Sequence, residues 1–224
     1  MAEPNPLESN ADQVLLYDYP RAPSCQRVRI GLALKGVDYE IEPIDIRMGA
    51  RNAATFRVNS PQGFVPVLRI DGLLLRQSLA ILEYVDETRG GRQIIPVEPV
   101  ARSRVRRLAQ SIATASGPLT NLCVLRDIQK RFGPDARRTW LMEQYSTSLS
   151  QFEASLHDPA TGDFCHGDEP TLADCVFAPH ANAAWRWGMD LRGLPRVSRI
   201  FHRCLRMPEF AKHLRDGPEW QEPI

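Results

Sequence analysis

The chain has 224 residues, about one and a half times the ~150 residues of an average domain, so one large or two small domains are expected. With 43% hydrophobic and 25% charged residues its composition is that of an ordinary globular protein, neither collagenous nor disordered. Lys and Arg total 28 against 27 Asp and Glu; this net charge of +1 provides no field to gather a polyanion, so nucleic acid is not an expected partner.

Only Lys35, Lys130 and Lys212 are lysines, so the cations are almost all Arg, which suits bidentate pairing with carboxylates and favours small acids as ligands. Cys25, Cys123, Cys165, Cys175 and Cys204 are odd in number and form neither a CxxC nor a Cys/His cluster of zinc spacing. The expectation is a reducing, cytoplasmic setting and no metal. Residues 1–12 carry Glu3, Glu8 and Asp12 without an apolar core, so they read as a loose tail, neither signal peptide nor membrane span.

Val14 to Asp18 is a short apolar strand, and Pro20 with Pro23 bounds a loop before Val28, Ile30, Leu32 and Leu34. Lys35-Gly36 ends that helix, a cation followed by a left-handed stop. Tyr39 to Ile46 alternates with period two and predicts a second strand; residues 47–57 look polar and irregular, and Asn59 to Gly63 is a turn. Val65 to Ile70 and Leu73 to Leu75 flank Asp71-Gly72, a strong hairpin signal. A helix is predicted from Ser78, with Ile81, Leu82 and Val85 at helical spacing. The Gly/Pro-rich stretch 91–100 is the linker between domains 13–90 and 101–224. Beyond it Val105, Leu108 and Ile112, then Leu141, Tyr145, Leu149, Phe152 and Leu156, recur at three and four, predicting roughly five helices.

Two readings fit most of the chemical candidates. Ser24 and Cys25 stand where the first helix starts, with open backbone donors and a positive dipole end that would hold an anion or thiolate. Ser24 equally suits a plain helix cap, and Cys25 a small buried apolar residue. Val65-Pro66 begins a strand that proline cannot join as a donor. A cis bond would turn the Val65 amide and carbonyl toward an extended peptide ligand; a trans proline on an edge strand is the alternative. Gln77-Ser78 opens a helix with a hydroxyl, an amide and unpaired N–H groups, either a carboxylate receptor or a cap. Thr171 and Asp174 form a capping box, and Arg102 to Arg107 a solvated helix face. Arg186, between Trp185 and Trp187, offers its fork to a carboxylate or to a structural ion pair.

In this order, Arg27-Val-Arg-Ile30, Pro61 to Pro66, Gln77 to Ile81, Pro118 to Leu122, Gly167 to Asp174 and Arg186 to Leu191 span nearly the whole chain. Together they resemble the zeta-class glutathione transferases, the maleylacetoacetate and maleylpyruvate isomerases. The resemblance implies a thioredoxin-like N-terminal domain that binds glutathione, followed by an all-helical domain in a homodimer. It implies a cis Pro66, Val65 pairing with the cysteinyl backbone, Gln77 and Ser78 holding the γ-glutamyl carboxylate, Asn121 near glutathione, and Arg186 facing an acidic substrate.

The implied reaction is cis–trans isomerisation of a small unsaturated diacid by reversible thiolate addition. Conjugation or dehalogenation of an electrophile is an alternative, as is a binding protein with little catalysis. The chain departs from the family at the catalytic loop: Ala22, Pro23 and Ser24 stand where zeta enzymes read Ser-Ser-Cys. Alanine cannot donate to a thiolate, a loss of about 1.5 to 3 kcal/mol or ten- to a hundredfold. Ser24 with nearby amides, or Cys25 as a thiol, are the substitutes that the loop offers.

Overall fold

The computed structural model describes residues 13–46 and 54–214; the stretch expected as a tail, 1–12, lies outside them. Two compact units meet in sequence between Arg92 and Gln93. The first unit contains β1 (Leu15–Asp18), α1 (Pro23–Leu34), β2 (Glu40–Pro43), α2 (Ala54–Asn59), β3 (Val67–Ile70), β4 (Leu73–Arg76) and α3 (Ser78–Thr88). Its sheet runs β2-β1-β3-β4, with β1 parallel to β2 and antiparallel to β3.

Period-two alternation sends Leu16, Leu68 and Ile70 into a core completed by Val28 and Leu32 of α1 and Ile81 and Val85 of α3. The hairpin is two-residue: Ile70 pairs with Leu73, and Asp71 and Gly72 both have positive φ (52° and 71°), as a type I′ turn requires. Helix α1 ends as expected. Gly36 sits at φ 64°, with its amide on the Ala33 carbonyl and that of Val37 on the Leu32 carbonyl, a Schellman stop. The irregular reading of 47–57 is corrected at its end by α2, whose Phe56 is buried and lies 6.2 Å from the Tyr17 ring. One anchored aromatic holds a helix too short to show periodicity.

The second unit has α4 (Pro99–Gln110), a π-helical segment (Ser111–Ser116), a 3₁₀ turn (Pro118–Thr120), α5 (Leu122–Phe132), α6 (Pro134–Ser155), α7 (Leu172–Arg186), α8 (Pro195–Leu205) and α9 (Pro208–Leu214). Thus the described residues contain six α-helices here, one more than expected, because α9 needs only Phe210 and Leu214 to seat it. In the stretch read as linker, Ile94 and Ile95 are buried, and the Ile94 carbonyl accepts the Leu172 amide at 2.8 Å. Helix α7 is buried from Leu172 through Ala184 and forms the centre of this unit.

The solvated-face reading of the arginine run fails at Arg104. Position 104 shares the inner stripe with Leu108, and its guanidinium, 8% exposed, donates to the Cys165 carbonyl (2.6 Å) and Thr161 Oγ1 (2.7 Å). It also lies 3.3 Å from Asp158, fastening α4 to the loop before α7. No described helix is long and apolar enough to cross a membrane.

Candidate functional site

Three segments of the first unit carry the predicted chemistry: the start of α1, the loop into β3 and the start of α3. Pro23 occupies the first helical position of α1, so Ala22 is the N-cap and has no side-chain oxygen to offer. The Cys25 and Gln26 amides both donate to the Ala22 carbonyl at 3.0 Å. The Ser24 amide, between proline and these two, has no partner among the described residues. Ser24 is therefore not the cap. Its hydroxyl crosses to the next segment and donates to the Val65 carbonyl at 3.0 Å.

Cys25 points the other way, and the reading of it as a catalytic low-pKa thiol is corrected. Its side chain is fully buried, Sγ accepts the Tyr19 amide at 3.4 Å, and burial followed by the nearby Asp18 charge pushes the thiol well above its ordinary range. Helix-start dipoles lower a thiol only when the thiolate remains solvated or paired with a cation. Asp18 itself is buried, its pKa raised by desolvation against the Arg29 charge 3.5 Å away. Arg29 also donates to the Pro20 carbonyl, which ties the loop before α1 to the end of β1.

The Val65–Pro66 bond is cis. Around it, Ser60 Oγ donates to the Phe64 carbonyl (2.8 Å) and accepts the Phe64 amide (3.1 Å), while Gly63 takes φ 69°. The Val65 amide has no partner among the described residues, and its carbonyl receives only the Ser24 hydroxyl. Val65 thus presents one donor and one acceptor, the pair that an extended peptide backbone needs.

At the start of α3, Gln77 has φ 68°, a left-handed conformation for a non-glycine residue, and provides no side-chain cap. Its side-chain nitrogen Nε2 donates to Gln62 Oε1 at 3.1 Å. Ser78 is the first helical residue rather than the cap, and its buried Oγ faces Arg27 Nη1 at 3.4 Å. Arg27, quoted in the sequence only as part of a motif, is 5% exposed, and desolvation pushes its pKa down to about 10.

The Arg27–Ser78 approach is set by a ladder of four-residue steps. One turn along each helix, Gly31 meets Leu82, where any Cβ on residue 31 would collide with the Leu82 side chain. Another turn along, Lys35 Nζ pairs with Asp86 Oδ1 at 2.9 Å, both side chains at most 5% exposed. Glycine at 31 lets two parallel helices close together, and this brings a guanidinium to the first turn of α3. The spacing 27, 31, 35 against 78, 82, 86 was the signal in the sequence.

In the second unit, Asn121 is the N-cap of α5, accepting the Cys123 amide at 3.4 Å, and Thr120 Oγ1 donates to the Gly117 carbonyl at 3.2 Å. Arg186 closes α7, half-buried. Its aromatic neighbours have other partners: the Arg137 guanidinium lies 5.4 Å from the Trp187 ring centre, and Trp185 packs 6.5 Å from Phe201.

Residues 16–93 match the family model of the glutathione S-transferase N-terminal domain. Over 204 residues the chain is 42% identical to the maleylacetoacetate isomerase of Rhizobium meliloti (strain 1021), covering 90% of this chain and 96% of that protein. A crystal structure of maleylacetoacetate isomerase from Methylobacterium extorquens AM1, with bound malonate and GSH, superposes with a TM-score of 0.86 at 35% identity, covering 89% of this chain and 95% of that one. The holo structure of a bacterial maleyl pyruvate isomerase, a zeta-class glutathione transferase, gives 0.85 at 32% identity with the same coverage. The chain belongs to the maleylacetoacetate isomerase family of zeta-class glutathione transferases.

Proposed function

We propose that this protein is a glutathione-dependent cis–trans isomerase of a small unsaturated diacid of the maleylacetoacetate or maleylpyruvate type. The observation that carries the reading is the set of open groups in the first unit. The Val65 amide and carbonyl suit a cysteinyl backbone, and the buried Ser78 with the first-turn amides of α3 suits a carboxylate. Glutathione has both features, so the residues present fit it. When bound, it supplies a thiolate able to add reversibly to an activated double bond, which permits rotation to the trans isomer.

The chain's own part is to bind, orient and stabilise charge. Val65 and Ser78 fix the tripeptide at two points, and Gln77, the residue before Ser78, is the candidate third contact, its side chain resting on Gln62 in the ligand-free protein. Ser24 replaces the donor that Ala22 lacks. In the ligand-free protein its hydroxyl rests on the Val65 carbonyl. The second lone pair of that carbonyl accepts an incoming cysteinyl N–H, and sharing the oxygen loosens the Ser24 hydroxyl so that it can turn its proton toward the sulfur. The unpartnered Ser24 amide and the positive end of α1 support the same negative charge. Arg186 is the second unit's candidate for neutralising a substrate carboxylate, and Asn121 its candidate glutathione contact.

The test is to titrate the glutathione thiol by ultraviolet absorbance on the protein and to follow the cis diacid by NMR. The expected result is a thiol pKa below its solution value and a trans product with glutathione unconsumed. A stable glutathione adduct would move the assignment to conjugation, and an unshifted thiol would leave only a binding protein. A homodimer in the cytoplasm completes the reading; sedimentation is expected to show a species larger than the 25.3 kDa chain.

A further inference from the structure

We propose that Arg27 is a positioning residue that makes the start of α3 selective for a carboxylate, by holding Ser78 Oγ as an acceptor so that its proton points outward to the ligand. The inference rests on the glutathione reading above and assigns one further residue to it. Arg27 is 95% enclosed, with relative exposure of 5%, and its Nε is buried without a partner. No described carboxylate lies within ion-pair distance of it. A guanidinium enclosed without a counter-ion is costly, and in this fold it is aimed at the first turn of an eleven-residue helix whose cap residue, Gln77, makes no side-chain capping bond. A carboxylate supplied from outside satisfies both.

The geometry also fixes the direction of the hydroxyl. A serine has one O–H donor and two acceptor sites, whereas arginine can only donate. With Nη1 directed at Oγ, the Ser78 proton has to point elsewhere, and an anion at the helix start is its complement. The 3.4 Å separation is long for an N–H···O bond, so the guanidinium retains freedom to tighten when the charge arrives.

The experiment compares glutathione with 4-aminobutyryl-cysteinylglycine, which is glutathione without its α-carboxylate, by calorimetry on the wild type and on Arg27→Met. Glutathione binding is expected to weaken about tenfold or more in the variant, the scale of a hydrogen bond to a charged group, while the analogue changes less than twofold. Equal losses for both ligands, or no loss for glutathione, would overturn the inference. If Arg27→Met does not fold, the Arg27 side-chain N–H signals of the ¹⁵N-labelled wild type decide. They are expected to shift with millimolar glutathione and stay in place with the analogue, and immobility with both overturns the proposal. Wild type that binds no glutathione would sink the functional reading as well, whereas binding that is indifferent to Arg27 would sink this inference alone.

Discussion

The starts of α3 and α7 make an instructive pair. Both place a buried hydroxyl residue at the helix start, Ser78 as the first helical residue and Thr171 as the N-cap, yet one start is closed and the other open. At α7, Asp174 fills the site from within: its carboxylate accepts the Thr171 amide (2.8 Å), the Thr171 hydroxyl (2.9 Å) and the Cys165 amide (2.8 Å). At α3 there is no acid in the first turn; Ser78 and a buried arginine await one. A helix start that carries its own carboxylate is a structural joint, and one that lacks it while holding a cation is a receptor.

Removing either anion partner sharpens this contrast. The largest effect is expected from Asp174→Ala, which strands three buried donors at once and should cost about 3 kcal/mol or more in urea denaturation. Retained stability would show that the joint is dispensable. Ser78→Ala strands only the one long Arg27 contact, so it should cost less, about 1 kcal/mol, while weakening glutathione by about ten- to a hundredfold in calorimetry. If it unfolds the protein instead, the two helix starts do not differ in kind.

The start of α1 lies between these extremes, because its cap is an alanine. Ser24→Ala is expected to raise the bound thiol pKa by about one unit, a tenfold loss of thiolate near neutral pH; unchanged turnover would remove Ser24 from the mechanism. Ala22→Ser should add about 1 kcal/mol of stability as a true N-cap and a second donor for the sulfur. The smallest effect concerns Glu98, whose exposed carboxylate caps α4 through the Val100 (2.9 Å) and Ala101 (2.6 Å) amides, bonds that hold its pKa below the usual range. Since the folded value is the lower one, this contribution is present above the unfolded value of about 4.3 and fades as the pH falls through the folded one. Melting temperatures of wild type and Glu98→Gln should differ slightly near neutrality and converge in acid; a gap that persists there would rule out ionic capping.

Much of the first unit was legible because its signals are local. Asp71-Gly72 specifies a two-residue hairpin, Gly36 a left-handed stop, and the apolar runs ending at Asp18 and Ile70 two strands. Arg104 was misread, since a run of arginines looks solvated until one of them turns inward to meet the Cys165 carbonyl, 61 positions along the chain. Cys25 was open between two roles, because a thiol's pKa depends on which side of a helix start it faces, and here that side is the core.

By itself the sequence determined most of the secondary structure and the residue types at each helix start, since turn chemistry, caps and apolar spacing act over a few residues, whereas the short α2 and α9 are held by tertiary anchors. Only the tertiary structure decided their partners. It turned the Ser24 hydroxyl onto the Val65 carbonyl, 41 positions along the chain, and pressed Gly31 against Leu82 so that Arg27 reaches Ser78. A hydroxyl at a helix start can cap, donate or receive, and which it does depends on the groups that folding brings within about 3 Å.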